Sequence, residues 1–134
     1  MDECRSTVRV RYVETDQMGV VHHSAYLAWM EVARTEYLRQ HGLPYREMEE
    51  NGIRMPVLLV HVQYLRPARY DDEVELLARL ADSSPVRFRF EYEMVRKGDG
   101  ALLCRGYTEH AATDLQGRPR RLPRDLFALI GGRS

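Results

Sequence analysis

The apolar spacing of this chain of 134 residues changes from helical to strand-like near Gly52, and that change restricts the fold more than any other feature. From about Ser24 to Gln40 the apolar residues recur every three or four positions, which predicts one helix of about 25 Å at 1.5 Å per residue. After Gly52 the spacing becomes two, which predicts consecutive strands. A long helix that packs on one face of an antiparallel sheet gives a two-layer α+β domain.

The remaining elements follow from the same patterns. The predicted strands cover Thr7 to Val13, Pro56 to Leu65, Glu73 to Ala81, Val86 to Met94 and Ala101 to Leu115, with short helices over Pro44 to Gly52 and Arg124 to Ile130. The four later strands are predicted to form a meander, so that the first and last strands of the chain are the sheet edges. Because exposed edges are usually paired or covered, we expect a dimer joined edge to edge.

The composition is that of one globular domain over residues 1–134. Apolar residues make up 44% and charged residues 30%, which is enough apolar side chain for a core. Twenty basic residues balance twenty acidic ones, so no nucleic-acid or anionic-membrane partner is indicated. Two distant cysteines, the lack of a signal-peptide pattern and the lack of an apolar run of about 20 residues predict a cytoplasmic protein with no membrane insertion.

The stretch RYVETDQMGVVHHSAYLAWMEVAR joins the first strand to the long helix. A helix that begins near His23 or Ser24 presents unpaired N–H groups and a partial positive charge, which can stabilise a carbonyl oxygen that gains negative charge. Asp16 lies in the preceding loop, and Gly19 lets that loop turn tightly. We expect Asp16 to be a buried carboxylate facing the helix tip, an arrangement suited to acyl transfer to water with the carboxylate as base or nucleophile.

The pattern Y-x-x-T-D-x-x-G-x-V-x-H-x-x-Y-x-x-W-x-E-x-A-R, from Tyr12 to Arg34, resembles the signature of the 4-hydroxybenzoyl-CoA thioesterase family and most closely its YbgC-type acyl-CoA thioesterase branch. The later stretches VQYLRPARYDDEV, SSPVRFRFEYEMVR and GRPRRLP are similar too. The resemblance implies a hotdog fold, in which a long central helix packs on a curved five-stranded antiparallel sheet. It also implies a homodimer that assembles into a homotetramer.

The implied activity is the hydrolysis of acyl-CoA thioesters without a metal or other cofactor, since coenzyme A is part of the substrate. An acyl-carrier protein is the alternative carrier. The family's catalytic acid falls on Asp16, and the helix-end amide that meets the thioester carbonyl falls on His23, whose imidazole can also position substrate or water. The substrate-binding positions fall on Gly19, Val20 and Tyr26.

Arginines that could meet the phosphates of CoA are frequent in the later half of the chain, because charge-assisted pairing suits phosphate. The candidates are Arg66, Arg87, Arg120 and Arg121. Glu14 stands where relatives often have aspartate, and His22 where they often have tyrosine.

Several alternatives stay open. Taken alone, Asp16 can be an ordinary turn residue and His23 a first-turn residue held by local hydrogen bonds. A metal site of Asp16, His22 and His23 is disfavoured, since adjacent histidines rarely converge on one ion. Glu31 and Arg34 are interpreted as a helix-surface or interface pair. The alternative functions are a hydratase or dehydratase acting on acyl thioesters, and a non-catalytic module that binds acyl-CoA or acyl-carrier protein.

Overall fold

The computed structural model describes residues 3–131. Within that range the strands are β1 (Glu3–Arg9), β2 (Val57–Tyr64), β3 (Glu73–Ser83), β4 (Arg87–Arg96) and β5 (Leu102–Ala111). The helices are α1 (Ala25–Gln40), α2 (Tyr45–Glu50) and α3 (Arg124–Leu129), and a 3-10 turn covers Tyr12–Glu14. The predicted ranges of the three helices and of β2, β3 and β4 agree with these bounds to within two residues at each end.

The sheet is antiparallel throughout, with the strand order β1-β3-β4-β5-β2. The predicted meander is therefore correct for β3, β4 and β5 only. Since β3 is already paired on both sides, β2 finds a free partner at β5, where Tyr64 lies opposite Cys104 and Val60 lies opposite Thr108. The second edge of the sheet is β2, and the prediction that the last strand forms this edge is wrong.

The first strand ends earlier than its predicted range of Thr7 to Val13. It stops at Arg9, because the next N–H, that of Val10, donates to the carbonyl oxygen of Asp72 (2.9 Å) and the chain then enters the 3-10 turn. The interpretation of Tyr12 as a strand residue is wrong for this reason.

The last strand also ends earlier than predicted, at Ala111 rather than Leu115. Thr113 forms only isolated bridges, with Arg54 and with Pro119. These bridges tie the end of β5 to the segments beside it without continuing the ladder.

Helix α1 packs its apolar stripe on one face of the sheet, which we term the inner face. The residues of this stripe are Tyr26, Trp29, Met30, Ala33 and Tyr37, each at most 3% exposed. They meet the apolar side of the central strands, formed by Val74, Leu76, Ala78, Phe90 and Met94. Each such side chain contributes about 1.5–3 kcal/mol by leaving water. The charged positions of these strands face outward, and the predicted two-layer α+β architecture is confirmed.

Strand β2 lies on the side of the sheet that α1 leaves largely uncovered. The main contacts of the helix are with β1, β3 and β4. Large apolar side chains of β2 are therefore left 41% to 49% exposed, namely Val57, Leu58, Leu59, Val60 and Tyr64. An apolar edge of this kind is a ready surface for pairing with another chain. Within residues 3–131 no helix combines the length and the apolar content that crossing a bilayer requires.

Candidate active site

A tight turn separates the 3-10 turn from the start of α1. Thr15 and Val21 pair across its base as an isolated antiparallel bridge. Inside the turn the Asp16 N–H donates to the Val20 carbonyl (2.9 Å), and the Gly19 N–H donates to the Asp16 carbonyl (3.0 Å). Gly19 has a φ of +81°, which side chains disfavour, so the turn requires glycine there. The local backbone thus explains the glycine of the motif.

The Asp16 side chain lies on the outside of this turn and is exposed. Its Oδ1 accepts the N–H groups of Met18 (2.8 Å) and Val20 (3.4 Å), whereas Oδ2 has no hydrogen-bond partner among residues 3–131. The prediction of a buried carboxylate is therefore wrong for the single chain. The turn is so short that the side chain folds back onto its own backbone amides. One oxygen anchors the loop, and the other is open to a ligand.

The side chain of His22 bonds to Ser24, the residue directly before α1. Its Nδ1 accepts the Ser24 N–H (3.2 Å) and lies 2.8 Å from the Ser24 Oγ. Ser24 is at the predicted N-cap position, but its side chain makes no cap bond to the helix. The His22 backbone also links the turn to the helix, since its N–H donates to Glu14 (2.7 Å) and its carbonyl accepts the Ala25 N–H (3.0 Å).

His23 stands at the helix tip with an exposed imidazole. Its ring packs against that of His22, with 4.2 Å between the centroids, and its carbonyl accepts the Tyr64 hydroxyl proton (3.0 Å). The His23 N–H has no acceptor within the described part of the chain. An open N–H beside the N-terminus of a helix is a donor for an anion or a polarised carbonyl. This N–H is the one that the motif assigns to the thioester carbonyl.

Tyr26 and Tyr64 form an aromatic wall beside the helix tip. Tyr26 is 3% exposed, and its hydroxyl accepts the Ala68 N–H (3.3 Å). Its ring meets those of Trp29 and Tyr64 edge-on, at 5.0 and 5.2 Å. Burial raises the pKa of Tyr26, so its hydroxyl stays neutral at neutral pH. The sequence gives no local signal for Tyr64, because its place depends on the distant pairing of β2 with β5.

Glu14 fixes the base of the turn to α1. Its Oε2 accepts the Trp29 indole N–H (3.0 Å), and its Oε1 accepts the Arg11 backbone N–H (2.8 Å). Only 10% of this side chain is exposed. Glu14 departs from the family pattern, and the sequence alone predicts no role for it. The structure gives it one, since it holds the loop that carries Asp16 against the helix.

The four candidate arginines lie at two different ends of the sheet. Arg66 follows β2, and its N–H donates to Leu103 (3.1 Å), at the end of β5 that is near the Asp16 turn. Arg87 pairs with Ala111 at the other end of that strand. Leu103 and Ala111 are about 27 Å apart along β5 at 3.4 Å per residue.

The other two arginines share the end with Arg87. The Arg120 N–H donates to Ala112 (3.0 Å), and its Nη1 donates to the carbonyls of Asn51 (2.9 Å) and Gly52 (3.0 Å) after α2. Arg121 is exposed beside it. Within one chain, Arg66 is thus the member of this group that lies on the same side as Asp16.

Neither a metal site nor a reactive thiol is formed by the described residues. Across residues 3–131 no three side chains of His, Cys, Asp or Glu are grouped so as to hold an ion. Cys104 is fully buried on β5, and burial raises its pKa to about 12. A thiol with such a pKa is protonated at neutral pH and is a poor nucleophile.

Comparison with known proteins gives the family. Residues 10–129 match the family model described as the thioesterase-like superfamily. The chain belongs to this superfamily. The acyl-CoA thioester hydrolase YbgC of Escherichia coli O6:H1 is 33% identical over 125 residues, which cover 92% of each protein. The DHNA-CoA thioesterase of Staphylococcus aureus superposes with a TM-score of 0.92 at 32% identity, over 98% of this chain and 90% of that one.

Two further solved structures are similar to this chain. TT1821, a protein of Thermus thermophilus, is 39% identical to this chain and superposes with a TM-score of 0.90. The alignment covers 97% of this chain and 96% of TT1821. A 4-hydroxybenzoyl-CoA thioesterase superposes with a TM-score of 0.87 over 96% of this chain and 98% of its own, and at 21% identity it supports the fold alone. The resemblance to the 4-hydroxybenzoyl-CoA thioesterase family and its YbgC branch is confirmed, as is the hotdog fold.

Proposed function

We propose that the chain hydrolyses acyl-CoA thioesters to a free acid and CoA, with Asp16 as the nucleophile or the general base. The observation that carries this proposal is the open His23 N–H at the tip of α1, at the same junction as the Asp16 carboxylate. Acyl transfer to water needs a group that attacks or activates water and a donor for the oxyanion. The similarity to an acyl-CoA thioester hydrolase and to a DHNA-CoA thioesterase adds support.

In this mechanism the thioester carbonyl oxygen accepts the His23 N–H, and the positive end of the helix stabilises the oxyanion. As a general base, Asp16 takes a proton from water through Oδ2 while the water oxygen bonds to the carbonyl carbon. As a nucleophile, it forms a mixed anhydride that water then hydrolyses, which restores the carboxylate. In both routes the C–S bond breaks, and CoA leaves as a thiolate that later takes up a proton.

The neighbouring side chains have supporting roles in this proposal. The exposed imidazole of His23 orients substrate or water at the helix tip. Tyr26 lines the acyl side as a wall, because its hydroxyl is already bonded to the Ala68 N–H. The backbone of Gly19 and Val20 borders the substrate on the loop side. A thiol has an ordinary pKa of about 8.5, so its thiolate leaves without a strong general acid.

A thiol-release assay tests the function directly. Short aliphatic, long aliphatic and aromatic acyl-CoAs, together with an acyl-carrier-protein thioester, should include at least one substrate that releases free thiol. Added EDTA should leave that rate unchanged, because neither route uses a metal. Loss or gain of water on an enoyl- or hydroxyacyl-CoA without thiol release would identify a hydratase or dehydratase. Binding of acyl-CoA without reaction would identify a binding module, and either result would contradict the proposal.

We also propose that the active form is a dimer joined through β2, from which a tetramer assembles. The edge of β2 is unpaired in the single chain, and its apolar side chains are exposed on both faces. Pairing of two such edges would satisfy the free backbone groups and cover the apolar side chains at once.

Replacing Leu58 with lysine should separate this dimer into single chains. Leu58 is 49% exposed on the edge strand, and a lysine there would place two like charges in the joint between strands. Analytical ultracentrifugation should give the wild type at least twice the chain mass of 15.7 kDa, and Leu58→Lys the single-chain mass. Leu115→Lys changes a similarly exposed loop residue (42%) and should keep the wild-type mass. A wild type of 15.7 kDa would contradict the proposed dimer.

A further inference from the structure

Two consecutive peptide groups lie directly before α1, and side chains hold the second of them at both ends. In the first peptide group the His22 carbonyl accepts the Ala25 N–H (3.0 Å). The second, between His23 and Ser24, is termed the tip peptide. Its carbonyl accepts the Tyr64 hydroxyl proton (3.0 Å), and its N–H donates to the His22 Nδ1 (3.2 Å). The remaining polar group of the two is the His23 N–H, the proposed oxyanion donor.

The two hydrogen bonds of the tip peptide each have one possible direction. A backbone N–H can only donate, so the His22 Nδ1 accepts and the neutral imidazole carries its proton on Nε2. The Ser24 hydroxyl, 2.8 Å from the same nitrogen, therefore donates to it as well. A carbonyl oxygen can only accept, so the Tyr64 hydroxyl is the donor at the other end. Partial burial raises the pKa of Tyr64, which keeps this proton in place at neutral pH.

The two side chains that hold the tip peptide are themselves fixed by different parts of the fold. Tyr64 lies on β2 opposite Cys104, and its ring meets that of Tyr26 edge-on at 5.2 Å. Its hydroxyl is therefore positioned by the sheet and the helix. The backbone N–H of His22 donates to the Glu14 carbonyl (2.7 Å), which ties His22 to the base of the turn. The tip peptide is thus bonded to the sheet on one side and to the loop on the other.

We propose that His22 and Tyr64 are positioning residues, which hold the tip peptide so that the His23 N–H is aimed at the thioester carbonyl. This inference rests on the proposed thioesterase function, and neither side chain has to touch the substrate. The bonded His22 carbonyl precedes His23 and the bonded tip peptide follows it, so both backbone torsions of His23 are fixed. A donor of this kind is effective only when it is held within about 0.5 Å of the productive geometry.

Removing the Tyr64 hydroxyl should lower kcat about tenfold and leave KM close to that of the wild type, because a misaligned donor weakens mainly the transition state. Tyr64→Phe keeps the ring that contacts Tyr26. Tyr45→Phe is the matched control, since that hydroxyl also bonds to the backbone, at the Met55 N–H (3.3 Å), but at the start of α2. The control should keep nearly full kcat. Wild-type kcat in Tyr64→Phe would overturn the role of Tyr64.

Two substitutions of His22 separate hydrogen bonding from packing. His22→Phe should lower kcat about tenfold, because a phenyl ring can still pack on His23 but accepts no hydrogen bond from Ser24. His22→Asn should keep kcat within about threefold of the wild type, because an asparagine oxygen accepts the N–H two residues further on. A packing role predicts the opposite order. An active His22→Phe with an impaired His22→Asn would overturn the inference.

The double variant of His22→Phe and Tyr64→Phe tests whether the two side chains act on one peptide group. The first substitution already releases the tip peptide, so the double variant should lose about tenfold in kcat, little more than either single one. Losses that multiply to about a hundredfold would show two independent effects and would overturn the shared role.

Amide hydrogen exchange followed by NMR tests the geometry without turnover. In the wild type the protection factor of the Ser24 amide should exceed that of the His23 amide at least about tenfold, because only the Ser24 N–H is bonded. His22→Phe should abolish this difference, and His22→Asn should keep it. Equal protection in the wild type would overturn the inference and leave the thioesterase proposal standing. The expected protection without thiol release from any acyl-CoA would support the held tip peptide and contradict the proposed function.

Discussion

Replacing Asp16 with asparagine should lower kcat by about 10² to 10⁴, the usual loss when a catalytic base is removed. The fold should be unaffected, because the amide oxygen of asparagine can still accept the N–H of Met18 and keep the turn closed. KM should stay close to that of the wild type, since the change removes a group that acts in the transition state. Steady-state kinetics on the best acyl-CoA from the thiol-release assay, with circular dichroism of both proteins, measure these effects.

Asp114→Asn is the matched control for this change. Asp114 also folds back on its own turn, where its Oδ1 accepts the N–H groups of Gln116 (2.9 Å) and Arg118 (2.9 Å). The same chemical change is thus made in the same kind of loop, away from the helix tip. We expect Asp114→Asn to keep nearly full kcat. Equal turnover in Asp16→Asn and wild type would reject Asp16 as the catalytic acid, and equal losses in both variants would indicate a general loop effect.

Acidification from pH 6.5 to pH 4 should lower the free energy of unfolding through His110 alone by about 3 kcal/mol. Burial, together with the positive charge of Arg34, lowers the pKa of His110 from 6.5 to about 4, and the hydrogen bond to the Met55 carbonyl opposes this shift. Between these two values the unfolded chain binds a proton that the folded chain does not, so stability rises with pH in this window. The contribution is complete above pH 6.5 and is lost as the pH falls toward 4.

Denaturant unfolding at several pH values measures the slope of the unfolding free energy against pH. His110→Gln should reduce this slope by the equivalent of up to one bound proton. Glutamine can bond to the Met55 carbonyl and to the Thr108 hydroxyl but does not titrate. His61→Gln, at an exposed histidine on the outer face of β2, should leave the wild-type slope unchanged. Identical slopes in the wild type and His110→Gln would show that the buried imidazole does not titrate as described.

The sequence predicts the elements of this fold well and their arrangement less well. The alternation in β3 and β4 depends on neighbouring residues, so their extent was predictable to within two residues. The pairing of β2 with β5 depends on which strand edges remain free once β3 is enclosed, and no local pattern records that. For the same reason the predicted sheet edge was wrong.

The candidate site, too, was predictable only where its residues lie close together in the sequence. The motif places Asp16, Gly19 and His23 at one turn-helix junction, because all three lie close together in the chain. The exposure of Asp16 was not predictable, since it depends on where a short turn directs one side chain. The contact of Tyr64 with His23 and the bond from Arg34 to Tyr92 join residues far apart in the sequence. Such contacts become visible only in three dimensions.

The double attachment of Glu14 has a consequence for how the loop behaves between turnovers. The Trp29 indole and the Arg11 amide hold its carboxylate, and the bridge from Thr15 to Val21 closes the loop directly beyond it. The Asp16 carboxylate, which we propose to react, is therefore in place before any thioester arrives, and the entropy of ordering it is lost once, when the protein folds. Loosening the indole contact should slow the chemical step while the aspartate itself stays unaltered.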